Sequence, residues 1–105
     1  MEYKIRFTPI AQGDMDDVWD EVFEASKNKE KTKNYVQEFI KEIIKKKEFP
    51  KSGIKIEYDG VFTGIYSVNY KAYKAFYRIN EEYVEVLRIL HSKQDYMKFI
   101  FSDEK

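Results

Sequence analysis

The chain carries one histidine, His91, and no cysteine, which excludes thiolate nucleophiles, disulfides and thiolate-bound zinc together. With a single imidazole a metal site would need carboxylates, and no metal or cofactor is expected. What remains is chemistry by bases, cations and phenols: proton transfer and stabilisation of developing negative charge. Two strand-like runs, Tyr73 to Asn80 and Tyr83 to His91, carry the histidine together with Lys74, Arg78 and Arg88. If these pair antiparallel around a turn at Glu81-Glu82, Arg78 faces Glu85 and Lys74 shares a face with His91. On that register Lys74 and His91 meet in one site, whereas a slip by one residue gives Lys74 other neighbours. A lone histidine at a strand end also serves commonly as a packed or hydrogen-bonded residue. Arg78 is read as the cross-strand partner of Glu85, not as a catalyst.

Those strands need a scaffold, and hydrophobic periodicity supplies its outline. Glu2 to Phe7 alternates as a strand, and Thr8-Pro9 reads as an N-cap with proline in the first helical turn. Met15, Val18, Trp19, Val22 and Phe23 recur at helical spacing, with Asp14, Asp16 and Asp17 in the early turns where the helix dipole favours acids. The segment Ser26-Lys27-Asn28-Lys29-Glu30 interrupts that pattern. Tyr35, Val36, Phe39, Ile40, Ile43 and Ile44 then resume it in a second helix ending near Lys45 to Lys47, before Pro50. So short a connection predicts an antiparallel helical hairpin.

After Phe49-Pro50-Lys51-Ser52-Gly53 the period changes to two, with strands expected at Ile54 to Tyr58, Phe62 to Val68, Tyr73 to Asn80 and Tyr83 to His91. The last run has few polar positions, which places it centrally, buried on both faces. The tail from Gln94 to Phe101 is too apolar for a free end and is expected to pack back as a short helix or strand. The reading is a single α+β domain over residues 1–105, of order β-α-α-β-β-β-β, with the N-terminal strand and the helical hairpin packed on a mostly antiparallel sheet.

Composition limits the functions open to such a domain. Apolar residues make up 43% of the 105 residues and aromatic residues 17%, enough to form one core and too short a chain for two. Lysine plus arginine and aspartate plus glutamate are 19 each, so no global positive field draws the chain to nucleic acid. No signal-peptide pattern or membrane-length apolar run occurs, and a cytoplasmic protein that does not engage a membrane is expected. Lys45-Lys46-Lys47 and the basic stretch from Lys27 to Lys33 are read as solvated helix ends. Tyr66, Tyr70, Tyr73 and Tyr77 are read as sheet packing in preference to a base-stacking platform.

Several strings together resemble the RelE/ParE toxins of bacterial type II toxin-antitoxin systems. Phe7-Thr8-Pro9-Ile10-Ala11 followed by Asp17-Val18-Trp19 is similar to the family's capped first helix, and Pro50-Lys51-Ser52-Gly53 to its "P-x-x-G" lead-in to the strands. Tyr73-Lys74-Ala75-Phe76-Tyr77-Arg78-Ile79 resembles "Y-R-I-F-Y-x-I". Val86-Leu87-Arg88-Ile89-Leu90-His91-Ser92-Lys93-Gln94-Asp95 resembles the closing "V-L-R-V-L-H-x-R-x-D". The likeness spans nearly the whole chain.

The resemblance implies a toxin, of the plasmid-stabilisation type, that inhibits growth when released from a cognate antitoxin. RelE-like members cut mRNA on the ribosome; ParE-like members poison DNA gyrase without established hydrolytic chemistry. For a RelE-like endoribonuclease, Lys74, Arg88, His91 and Tyr96 are the catalytic candidates, because the family's later strands and tail carry those groups. Two departures point the other way. Lys74 stands where the family pattern has an arginine and lacks the bidentate fork that suits a phosphate. Tyr66, after Gly64-Ile65, stands where many members have another arginine. With no net positive charge besides, the expectation is a ParE-like gyrase poison, the alternative a RelE-like ribosome-dependent mRNA endonuclease.

Overall fold

The computed structural model describes residues 2–100; Met1, Phe101 and the last four residues, at the ends of the expected 1–105 domain, lie outside them. The elements are β1 (Lys4–Phe7), α1 (Pro9–Ser26), α2 (Lys29–Ile44), two 3-10 turns (Lys45–Lys47 and Pro50–Ser52), β2 (Ile54–Tyr58), β3 (Val61–Tyr70), β4 (Tyr73–Asn80), β5 (Tyr83–His91) and α3 (Tyr96–Ile100). One sheet of order β1-β5-β4-β3-β2 holds all five strands. β1 runs parallel to β5 and every other pairing is antiparallel, as the α+β reading requires.

Local chemistry explains the helix boundaries. Thr8 caps α1 by accepting from the Ala11 amide at 3.1 Å, with Pro9 in the first turn where its missing N–H costs nothing. The same hydroxyl donates to the Leu87 carbonyl at 3.0 Å and so pins the cap to β5. Lys27, in the left-handed region at φ 52, stops α1 and donates its amide to the Phe23 carbonyl. Asn28 opens α2 through its side-chain oxygen, which accepts from the Lys31 amide at 2.9 Å.

The main core lies between hairpin and sheet. Ala11, Val18, Phe39 and Ile43 are buried there against Tyr66, Ala75, Tyr77, Val84 and Val86. Ile56, Phe76 and Leu90 form a smaller cluster, against which Tyr96, Met97 and Ile100 pack. The apolar tail therefore does fold back, as helix α3.

Two expectations about β5 are corrected. The middle position of the sheet belongs to β4, and β5 lies one place nearer the edge. Its pairing with β1 ends at Val86, because the chain leaves β1 at Thr8 to start α1. The register with β4 also slips. Arg78 opposes Glu85 and Tyr77 opposes Val86, but Phe76 opposes Arg88, so Leu87 is an extra residue in a β-bulge. Beyond the bulge Tyr73 opposes His91 and Lys74 opposes Leu90. A bulge reverses the alternation on one strand relative to its partner, so Lys74 and His91 lie on opposite faces and do not meet.

Candidate functional site

The bulge frees the end of β5 to be held by α1. Asp14 accepts from the Ile89 amide at 2.9 Å and grips the Arg88 guanidinium with both oxygens, from Nε at 2.8 Å and from Nη2 at 3.1 Å. Asp14 lies beyond the first turn of α1, so its role is this tertiary contact, whereas the sequence reading had placed it against the helix dipole. The pair is only partly exposed, 25% for the arginine side chain and 11% for the aspartate. The carboxylate takes the Nε edge of the guanidinium and neutralises the charge that would draw a phosphate.

Beside this pair runs a cleft of about 170 Å³, lined by Asp14, Asp17, Glu21, Tyr73, Arg88 and His91 among others. The His91 ring meets the Tyr73 ring edge-on, with centroids 5.4 Å apart. Its Nδ1 accepts from the Lys93 amide at 3.2 Å, so the neutral ring carries its proton on Nε2. The Tyr73 hydroxyl donates to Glu21 at 2.5 Å. Burial first, and then that carboxylate, hold the Tyr73 phenol well above the usual range, so at neutral pH it keeps the proton that it shares with Glu21. Three carboxylates around one arginine and one imidazole suit a cationic group better than an RNA phosphate.

Lys74 and Tyr96 lie on the face of the sheet opposite His91, the face to which the register also assigns Phe76 and Arg88. The Lys74 ammonium stands over the Tyr96 ring, 5.2 Å from its centroid, and Tyr96 lies 5.1 Å from Phe76. Among the described residues Lys74 has no carboxylate partner, which leaves a lysine and a phenol together on an apolar seat. Phe99 of the same short helix lies beneath the Arg88 guanidinium at 5.6 Å. The four sequence candidates thus divide into Lys74 with Tyr96, Arg88 in its clasp with Asp14, and His91 against Tyr73.

The expected Arg78–Glu85 pair is present at 2.8 Å, and Arg6 of β1 joins it at 3.3 Å. The Arg78 hydrogen bond and charge, with help from Arg6, hold the Glu85 carboxyl below the usual range against the opposing effect of its burial. Sequence reading missed the contributions of Asp14, Glu21 and Tyr73. Asp14 offered no local signal, since its partner is 74 residues away. Among the described residues no group of three or more histidine, aspartate or glutamate side chains could hold a metal ion, and no helix is long and apolar enough to cross a membrane.

Comparison with known proteins bears on this arrangement. The family model described as the ParE toxin of the type II toxin-antitoxin system parDE matches residues 5–96. A chain of the chromosomal ParDE toxin-antitoxin system of P. aeruginosa superposes with a TM-score of 0.71 at 17% identity, covering 86% of this chain and 96% of that one. A chain of the toxin-antitoxin complex RelBE2 from Mycobacterium tuberculosis gives 0.61 at 19% identity, covering 90% and 95%. At such identities the two structures establish a shared fold. No curated protein matches the sequence.

Proposed function

The chain belongs to the ParE toxin family of type II toxin-antitoxin systems, and from that membership we propose that it arrests growth by trapping DNA gyrase once released from its antitoxin. It does so in the cytoplasm, as a binding protein without hydrolytic chemistry of its own. The observation that carries the choice over ribosome-dependent mRNA cleavage is that the sheet separates His91 from Lys74 and Tyr96 while Asp14 holds Arg88. Cleavage through a 2′-hydroxyl needs a base, a cation on the phosphorane-like transition state and an acid for the leaving oxygen, all within reach of one phosphate. Here Lys74 and His91 lie on opposite faces of the sheet, and Arg88 is already paired with a carboxylate.

Controlled expression of the chain alone in a bacterium tests this reading, followed by primer extension on an abundant message and a supercoiled-plasmid cleavage assay with purified gyrase. The expected result is growth arrest with intact message and an accumulation of gyrase-linked DNA breaks. Codon-phased cuts in the message would overturn the proposal and promote Lys74 and Tyr96, the two candidates that do meet, as the groups to mutate first.

A further inference from the structure

The sheet ends in an open edge at β2, and the side chains there complement themselves. β2 reads Ile54-Lys55-Ile56-Glu57-Tyr58 and pairs on one side only, with β3. Ile54 and Tyr58 are 56% and 63% exposed, and Val61, opposite Tyr58, is 66% exposed. Lys55 and Glu57 are also exposed and have no ion-pair partner among the described residues. Natural edge strands commonly resist pairing by charged side chains, prolines or bulges on the edge itself. β2 has no proline, its register irregularity is taken up in β3, where Gly64 sits at φ 88, and its two charges, Lys55 and Glu57, are opposite in sign and so complement those of an antiparallel copy.

Main-chain directions fix which register a second strand can take. The Thr63 hydroxyl donates to the Ile56 carbonyl at 2.7 Å, so the main-chain groups of Ile56 turn inward to β3. By the alternation of a strand, those of Lys55 and Glu57 turn outward to the free edge. An antiparallel copy of β2 centred on Ile56 then places Lys55 directly opposite Glu57 of the second chain, in closely hydrogen-bonded pairs, once on each side of the two-fold axis. Ile54 falls opposite the second chain's Tyr58 on the other face, an apolar-aromatic cross-strand pair. Charge, apolar surface and main-chain donors all match in that one register, which is the self-complementarity an isologous interface demands.

We propose that β2 is a homodimerisation edge through which two copies of this chain join their sheets antiparallel about Ile56. A strand of five residues buries little area, so the association is weak and depends on concentration. It does not depend on which cellular machine the toxin attacks.

The test is sedimentation velocity on the full chain, without a partner, over a wide concentration range, with circular dichroism confirming that each variant is folded. The wild type should pass from monomer to dimer as concentration rises. Lys55→Glu, which sets Glu against Glu57 twice across the axis, should weaken the dimer at least about tenfold, and the exchange Lys55→Glu with Glu57→Lys should restore it. A chain that stays monomeric throughout would overturn the proposal. So would a dimer that folded Lys55→Glu leaves unchanged, or one that the double exchange fails to recover. Main-chain amides of Lys55 and Glu57 that gain exchange protection only when a different protein binds would assign the edge to that partner and overturn it equally.

Discussion

Asp14 of α1 clasps Arg88 of β5 through Nε at 2.8 Å and Nη2 at 3.1 Å, while one of its oxygens also takes the Ile89 amide at 2.9 Å. One carboxylate thereby stitches the helix to a strand end that has lost its β1 neighbour and gained a bulge. It also commits the arginine that a phosphate-directed enzyme would use.

Removing that carboxylate leaves a partly buried guanidinium and a strand amide without their acceptor. Asp14→Ala should cost about 2–4 kcal/mol, the range for breaking a shielded charged pair. Asp14→Asn, which keeps one acceptor for Ile89, should cost less. Urea denaturation of the two variants beside wild type measures both, and equal losses would show that the Ile89 bond contributes nothing.

Tyr77 is fully buried, donates to the Pro50 carbonyl at 2.6 Å and accepts from the Gly53 amide at 3.1 Å. Tyr77→Phe strands both main-chain groups and should destabilise by about 1–3 kcal/mol. Gly53→Ala should also destabilise, because a Cβ there would collide with the Tyr77 hydroxyl. Thermal unfolding reads each loss.

The same tyrosine makes an alkaline prediction. Burial pushes its phenol from 10 up to about 12, only partly opposed by the Gly53 amide. The folded state thus keeps a proton that the unfolded chain releases, so this contribution is complete below pH 10 and disappears as pH rises to about 12. The stability difference between wild type and Tyr77→Phe should shrink across that window. A constant difference would mean that the phenol ionises alike in both states.

Glu85 sets the acid counterpart. Its carboxyl is held below the usual value chiefly by Arg78, so its contribution is present above pH 4.5 and is lost as pH falls through the lower folded value. Arg78 is half exposed, and Arg78→Ala should cost about 1 kcal/mol or less at neutral pH. Acid titrations of stability should show a smaller drop in that variant than in wild type.

For a toxin that works by binding, Lys74→Ala, His91→Ala and Tyr96→Phe should leave growth arrest intact in strains making equal amounts of folded protein. Arrest abolished by any one of them, accompanied by loss of message cleavage, would favour the nuclease reading. Serial-dilution spotting after induction is sufficient to score it.

Features controlled by local chemistry are legible along the chain. Thr8-Pro9 starts the first helix and the break at residues 26–30 parts it from the second, the 3.6 and 2 periods separate hairpin from strands, and a two-residue turn at 81–82 joins β4 and β5. The Arg78–Glu85 pair is legible as well, since it sits only a few residues from its turn and before the irregularity. What followed from the tertiary structure was which way the β5 residues past Leu87 face. Whether a strand takes up one extra residue depends on what lies across from it and beside it, and here Thr8 holds the Leu87 carbonyl and Asp14 the Ile89 amide. Those partners lie more than 70 residues away along the chain. Neither hydrophobic period nor charge count in β4 and β5 carries that information, which is why Lys74 and His91, expected on one face, are separated by the sheet.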